Sequence, residues 1–452
     1  MTIIHASQAL TPAGWAEEFR IAIAPDGRLS EAPADAAPDH RVGLLLPAPG
    51  NLHSHAFQRA MAGLAERRGD AGQDSFWTWR ELMYRFLAAL GPEEVEAIAA
   101  QVQMEMLEAG FAAVGEFHYL HHQPGGAPYP RLSELSDRIV AAVAETGIGL
   151  TLLPVLYSQG GADGRALGDG QLRFGNDTER FSYLVEGVAE TMTTLEDDAV
   201  LGLAPHSLRA VSPDALSQIV EVGLGPLHMH LAEQEAEVTE VVATLGARPV
   251  EWLLDNAEVD GRWCLVHCTQ MRPHETAGLA RTGAVAGLCP ITEANLGDGI
   301  FDGARWRAGG GAFGVGSDSN LRITLSGELS ALEYSQRLRD RARAVLADPG
   351  QSTGRQLLEA AAAGAAQALG RGRGVIAPGE WADLVTLDAE ATALLGRRGD
   401  TALDTWIFAA DDRLVRDVWS AGRHVVQDGA HVARGRIETR FRKVMGRLGD
   451  GL

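Results

Sequence analysis

The stretch PGNLHSHAFQRA, residues 49–60, sets two imidazoles, His53 and His55, one residue apart behind the apolar run LLLPAP. Successive side chains of an extended strand point to opposite faces, so residues two apart share a face and both rings can reach one cation. A single such pair is weak evidence, because a strand-end histidine is often only a hydrogen-bonded polar residue. The chain repeats the pattern, however. LHMHLAEQ, residues 227–234, ends an apolar run with His228, His230 and Glu233; WCLVHCTQ ends another with His267, and GVGSDSN a third with Asp318. A third imidazole and a carboxylate added to His53 and His55 make a His₃Asp set, suited to zinc or a similar divalent metal with room left for water. Such a cation brings the pKa of its water from ~15.7 to ~7 and makes it nucleophilic. Beside it, Asp318 can accept the water proton and Glu233 can move a proton to a departing nitrogen. His267 can polarise the water and stabilise a tetrahedral centre. No lysine stands beside these motifs to act, carbamylated, as a bridge, so one metal is expected rather than two.

Residues so far apart in sequence cooperate only if the fold gathers their strand ends. Apolar or β-branched runs occur at 44–48, 112–117, 149–157, 200–205, 227–232, 263–268, 284–289 and 312–317. Between most of them lie helical patterns. PEEVEAIAAQVQMEMLEAG opens on proline and acids and closes on glycine, and SELSDRIVAAVAETG has similar punctuation. Eight strands alternating with helices predict a (β/α)₈ barrel, whose active residues collect at the C-terminal ends of the strands. A doubly wound sheet is the rival, but its glycine-rich phosphate turn is missing after the first strand. Residues 1–48 carry short strand-like pieces, and the same texture returns in GVIAPGEWADLVTLD and in VRDVWSAGRHVVQDGAHV, where GRHVVQDG reads as a hairpin arm. The expected organisation is a catalytic barrel over 49–372 and a small β-sandwich domain built from both termini, 1–48 and 373–452, with a terminal helix. Two unrelated tails are the alternative. A length of 452 residues fits a barrel of ~250 residues plus a satellite.

Composition narrows the partners. Sixty acidic against thirty-nine basic residues leave a charge of −21, opposite to the basic footprint a nucleic-acid surface needs. No run approaches the ~20 apolar residues of a membrane span, and the N-terminus has no basic region followed by an apolar stretch. The expectation is a cytoplasmic protein without membrane or nucleic-acid partner. Cys264, Cys268 and Cys289 form no disulfide or zinc-knuckle pattern and read as small core residues.

The order HxH at the first strand, HxAE at the fifth, His at the sixth and Asp at the eighth resembles the amidohydrolase superfamily, in its deaminase-like branch, over nearly the whole chain. Within that branch, NLHSHAFQRAMAGLAE, DSFWTWRELMYR, EFHYLHH, LTLLPVLYS, HSLRAV, HLAEQ, TEANLGDGIF and GSDS resemble the formiminoglutamate iminohydrolases. The resemblance implies His53, His55, His230 and Asp318 as metal ligands, zinc as the metal, and a homodimer. It favours His230 over His228, which then lies one layer deeper. It implies hydrolysis of N-formimino-L-glutamate, a small dicarboxylate, to N-formyl-L-glutamate and ammonia in histidine degradation. Two carboxylates call for guanidinium forks, which Arg80 and Arg209 can supply. Gln58, Tyr119 and His206 are further contacts implied by the resemblance, and Glu293 and Asn295 follow the seventh strand near the site. Two features depart from the pattern: LCPITEAN is similar to a segment of purine and triazine deaminases, and Asn320 stands where close relatives suggest histidine. The alternatives are therefore a deaminase of aminopurines or other heterocycles, and a silent barrel that only binds ligand. His121 and His122 read as loop residues without catalytic duty, and LEYSQRLRDRARAV as a solvated helix.

Overall fold

The computed structural model describes residues 1–66 and 76–449. Asp74 and Ser75, which open the DSFWTWRELMYR segment, lie outside the described residues. The chain begins with strands β1 (Thr2–Thr11), β2 (Gly14–Ile23), β3 (Leu29–Ser30) and β4 (His40–Pro47). It then runs through β5 (Gly50–Ser54), β6 (Ala113–His118), β7 (Gly149–Leu156), β8 (Val200–Leu201) and β9 (Ala204–Pro205). Four more parallel strands follow: β10 (Leu227–Leu231), β11 (Trp263–His267), β12 (Val285–Leu288) and β13 (Ala312–Val315). The last are β14 (Leu384–Leu387), β15 (Val415–Ser420), β16 (Arg423–Gln427) and β17 (Ala430–His431).

Strands from the two ends of the chain share one eight-stranded sheet, in the order β17-β16-β15-β14-β4-β1-β2-β3. Its pairings are antiparallel except that of β1 with β4. The 44–48 run, expected as the first barrel strand, belongs instead to β4 and pairs with β14. The reason is in the sequence PAPG: two prolines without N–H donors interrupt the ladder, and the chain passes from one sheet to the other. The first barrel strand is β5, which contains His53 itself.

The barrel strands form two parallel runs, β5-β6-β7 with β8 and β9 beside β7, and β10-β11-β12-β13. Isolated parallel bridges join the runs, Leu203 to Leu227 on one side and Ser54 to Asp318 on the other, and complete an eight-position ring. The second closure is made by the Asp318 N–H to the His53 carbonyl at 2.9 Å and the His55 N–H to the Asp318 carbonyl at 3.0 Å. Gly316 permits this approach, since a Cβ there would stand 2.7 Å from the His53 nitrogen. The connecting helices follow their punctuation. Pro92–Glu108 starts after Gly91, whose N–H donates to Glu94, and Glu134–Thr146 ends on Gly147 in the left-handed region at φ 72°. The stretch 332–345, expected as a solvated helix, is helical only to Asp340, as the end of the helix Leu325–Asp340, and it buries Leu332, Glu333 and Gln336 because that helix covers the barrel wall.

Asp198, just before β8, ties the barrel to the terminal sheet. It accepts from Arg371 at 3.0 Å and from both terminal nitrogens of Arg423 on β16 at 2.8 and 2.7 Å, and Arg371 also donates to Asp383. Burial would raise the Asp198 pKa, but the Arg423 and Arg371 cations outweigh it and hold the carboxyl below its ordinary 3.8. A lowered carboxyl stabilises the fold fully above its unfolded pKa, and the contribution is lost as pH falls through the folded value. Asp198→Ala is expected to cost about 1.5–3 kcal/mol, because Arg423 loses its carboxylate partner and Arg371 keeps only Asp383. Thermal melts should show a lower Tm for the variant at pH 7, and a smaller difference as the pH drops below about 4.

Candidate active site and metal centre

His53 lies in β5 and His55 just beyond it, His230 in β10, and Asp318 in the turn after β13. Their donor atoms all lie within 4.8 Å of one another, and all four side chains are buried. The Nε2 atom of His53 is 3.2 Å from that of His55 and 3.1 Å from that of His230. Asp318 Oδ1 is 3.5 Å from His53 Nε2 and 3.3 Å from His55 Nε2. The far ring nitrogens fix the orientation: His55 Nδ1 donates to the Phe117 carbonyl at 3.0 Å and His230 Nδ1 to the His206 carbonyl at 3.2 Å. That turns the Nε2 lone pairs inward, as metal-bound imidazoles require. Burial lowers the pKa of all three rings, that of His53 to about 3, so they are neutral donors at pH 7. Burial would raise Asp318, but the hydrogen bond with His53 and the adjoining imidazoles hold it low and ionised. Three neutral imidazoles and one carboxylate fit a divalent cation. The chain has a single lysine, Lys443, exposed on the outer helix Arg434–Gly449, so none can bridge a pair of metals here. His228 is not a donor: its Nε2 meets the Ala368 carbonyl at 2.8 Å, where the helix Thr353–Leu369 packs.

The rim of this centre carries backbone strain. Ala232, His267, Cys268, Asp318 and Asn320 are half of the ten non-glycine positions with positive φ among the described residues. Such conformations cost of order 1–3 kcal/mol each and persist only where neighbours over-determine them. Here they do. Asn320 donates to Ser54 Oγ and to the His55 carbonyl, both at 3.1 Å, and accepts from Ser317 at 2.6 Å. Asn320, the residue expected to depart from relatives, thus pins the strand end that presents both histidines. Glu237, fully buried, accepts the N–H groups of Ala232 and Glu233 at 3.1 and 3.0 Å.

Glu233 and His267 face the centre. His267 Nε2 lies 3.8 Å from Glu233 Oε1 and 3.9 Å from Asp318 Oδ2, while its Nδ1 is 3.3 Å from Glu293 Oε1. Burial disfavours the imidazolium, yet the surrounding Glu233, Glu293 and Asp318 carboxylates raise the His267 pKa to about 10. Burial raises Glu233, against the pull of His267 and Arg209.

All five residues expected to touch substrate line one cavity above these groups: Gln58, Arg80, Tyr119, His206 and Arg209. Arg209 Nη2 is 3.5 Å from Glu233 Oε2 and its Nε 3.9 Å from Glu237 Oε2. Arg80, on the helix Phe76–Leu87, donates to the Tyr84 hydroxyl. Gln58 Nε2 donates to Tyr119 Oη at 2.8 Å. Sequence reasoning missed Trp79, Met83, Tyr84, Tyr157, Phe174, Leu296 and Ser319, which complete the lining. Trp79, Arg80, Met83 and Tyr84 share the one-and-four spacing of a helix face, a signal legible in WREL-MY only once that helix is known to cover the barrel. Asn295 is not in the cavity; its amide donates to Glu66 near the surface. Glu293 reaches the site only through His267 and the Cys289 N–H. His121 and His122 lie in the loop after β6, as expected, where they are buried against the Val155 and Gly175 carbonyls, and neither lines the cavity.

The profile of the amidohydrolase family matches residues 44–425, and that of the "Formimidoylglutamate deiminase HutF, N-terminal domain" matches residues 1–41. A formimidoylglutamate deiminase of Pseudomonas aeruginosa is 50% identical over 456 residues, covering 100% of both chains. A 5-methylthioadenosine/S-adenosylhomocysteine deaminase of Natronomonas pharaonis is 27% identical, over 78% of this chain and 74% of its own. The crystal structure of an amidohydrolase from Brucella melitensis superposes with a TM-score of 0.95 at 50% identity, covering 99% of this chain and 100% of its own. An adenosine deaminase from Xanthomonas campestris with bound zinc shares the fold, with a TM-score of 0.82 at 21% identity and coverage of 99% and 98%. With its metal-type donors at the strand ends and this likeness along its entire length, the chain belongs to the amidohydrolase family, in the group of the formimidoylglutamate deiminases.

Proposed function

We propose that the chain hydrolyses N-formimino-L-glutamate to N-formyl-L-glutamate and ammonia. The observation that carries this reading is the pairing of a His₃Asp donor set with two arginines, Arg80 and Arg209, in one cavity. The full-length identity to the Pseudomonas aeruginosa deiminase supports it. His53, His55, His230 and Asp318 would hold the metal, which when bound supplies Lewis acidity and makes water nucleophilic at neutral pH. Arg209 and Arg80 bind the two carboxylates of the substrate, and Gln58, Tyr119 and His206 add hydrogen bonds that orient it. Asp318 takes a proton from the attacking water through its Oδ2, the oxygen turned toward His267. Water oxygen adds to the formimino carbon, and His267 donates from Nε2 to stabilise the tetrahedral centre. Glu233 carries the proton taken from water, and then the one released as the added hydroxyl becomes the formyl carbonyl, to the terminal amidine nitrogen; the bond from carbon to that nitrogen breaks, and ammonia leaves.

The metal is zinc in this reading, as in the bound-zinc relative of the same fold. The finer setting is a homodimer in the cytoplasm, acting in histidine degradation. No described helix is long and apolar enough to cross a membrane. Residues 1–48 and 373–452 act as one support for the 49–372 catalytic unit, through the shared sheet.

Incubation of the metal-loaded protein with N-formimino-L-glutamate is expected to release ammonia and N-formyl-L-glutamate in equal amounts. Formamide and glutamate as products, or turnover of guanine in place of this substrate, would overturn the reading. Arg209→Met is expected to lower kcat/KM by about 10–100-fold, the loss of a charge-assisted hydrogen bond of about 1.5–3 kcal/mol. Steady-state kinetics with the intact substrate checks this, and an unchanged kcat/KM removes Arg209 from carboxylate recognition.

A further inference from the structure

Beside the metal donors lies a second cluster that the reaction does not use as a unit. We infer that His267, Cys289 and Asp318 form a second, inhibitory site for a thiophilic divalent cation such as Zn²⁺ or Cd²⁺; the inference rests on reading the first cluster as the metal centre. One donor atom from each of the three residues lies within 4.8 Å of the other two, and all three side chains are buried.

Asp318 links the clusters. Its Oδ1 faces His53 and His55 at 3.5 and 3.3 Å, while its Oδ2 faces His267 Nε2 at 3.9 Å. A carboxylate has two oxygens and can serve two neighbouring cations, as in paired metal sites about 3.5–4 Å apart. Cys289 adds the soft donor. It ends the run of β12 directly before the helix Pro290–Leu296, and its N–H is tied to Glu293 Oε1 at 2.9 Å. The same Glu293 oxygen receives His267 Nδ1, so one carboxylate orients two of the three ligands. Sulfur favours zinc and cadmium over magnesium or calcium.

Entry of the cation forms a metal–sulfur bond and displaces the Cys289 thiol proton to solvent, along with any proton on the His267 nitrogen it uses. Occupancy therefore rises with pH. The second cation takes His267 and the second Asp318 oxygen, and turnover stops. Cys289 touches no substrate in the mechanism above, so its replacement leaves the one-metal reaction intact.

The test is a titration of the enzyme carrying one zinc per chain with Cd²⁺, with metal content measured alongside activity. The parent is expected to retain its zinc, bind one Cd²⁺ with an ultraviolet thiolate-to-cadmium charge-transfer band, and lose activity in step with that band. Cys289→Ser should keep the zinc and the parental turnover, show no band, and need at least about tenfold more Cd²⁺ for inhibition. Cys289→Ala serves as the second variant. No bound Cd²⁺, binding without the band, or a Cys289→Ser titration that matches the parent overturns the inference and leaves the first centre standing. Failure to hold even the first zinc removes both.

Discussion

Glu233→Gln is expected to lower kcat by roughly 10²–10⁴-fold, the range general acid–base catalysis contributes, while the metal content stays at the parental level. The substitution preserves size and a hydrogen-bonding oxygen but removes the exchangeable carboxyl proton. Glu233 stands 3.8 Å from His267 and 3.5 Å from Arg209, in a buried environment that raises its pKa, and it is not among the four clustered metal donors. Its loss should fall on the chemical step and spare both metal binding and, to first order, substrate binding. Elemental analysis and steady-state kinetics on the same preparation separate these quantities. A variant with full turnover would remove Glu233 as the proton carrier. A variant without metal would mean that the glutamate belongs to the donor set.

Removal of the metal should have the largest effect of all. Chelation is expected to bring turnover to the background rate, and added zinc to restore it. His55→Ala should match the chelated protein and resist restoration, because it deletes a donor 3.2 Å from His53 Nε2. Metal-loaded protein should also melt at a higher temperature, since a ligand that binds only the folded state stabilises it by mass action. The loss on chelation should be larger than the gain in many metal sites. Three buried, neutral imidazoles and an ionised aspartate converge here, and without a cation their inward-facing lone pairs have no common partner. Turnover by thoroughly demetallated protein would end the hydrolytic reading.

Much of the site was legible because its residue types are costly anywhere else. Buried histidines and aspartates at strand ends seldom occur without a partner, and the two-residue spacing of His53 and His55 already sets them on one side of a strand. That two arginines line the cavity was expected for a related reason, since the dicarboxylate of the proposed reaction must be met by cations. The aromatic lining was not. Tyr84, Tyr157 and Phe174 look like any core residue in a one-dimensional pattern, and only the position of the helix Phe76–Leu87 over the barrel makes them cavity walls. Asn295 shows the reverse error, because proximity in sequence to Glu293 does not survive the helical turn that sends it to Glu66. The first barrel strand was misplaced by a few residues because the apolar LLLP looks more like a buried strand than the largely polar NLHS, and pairing partners far along the chain decide which sheet each joins.

By itself, the order of apolar runs and helices determined the barrel class, and the types of residue at their ends determined metal-assisted hydrolysis. Both follow from local rules, periodicity and donor chemistry, that need no knowledge of distant neighbours. Only the tertiary structure decided that His230 and not His228 joins the donors, that Asn320 and Glu237 brace the strained turns beneath them, and that Cys289 lies within reach of His267 and Asp318. The physical reason is closure of the ring. The first and last strands of the ring meet through the Ser54–Asp318 bridge, and that meeting sets distances no spacing along the chain encodes.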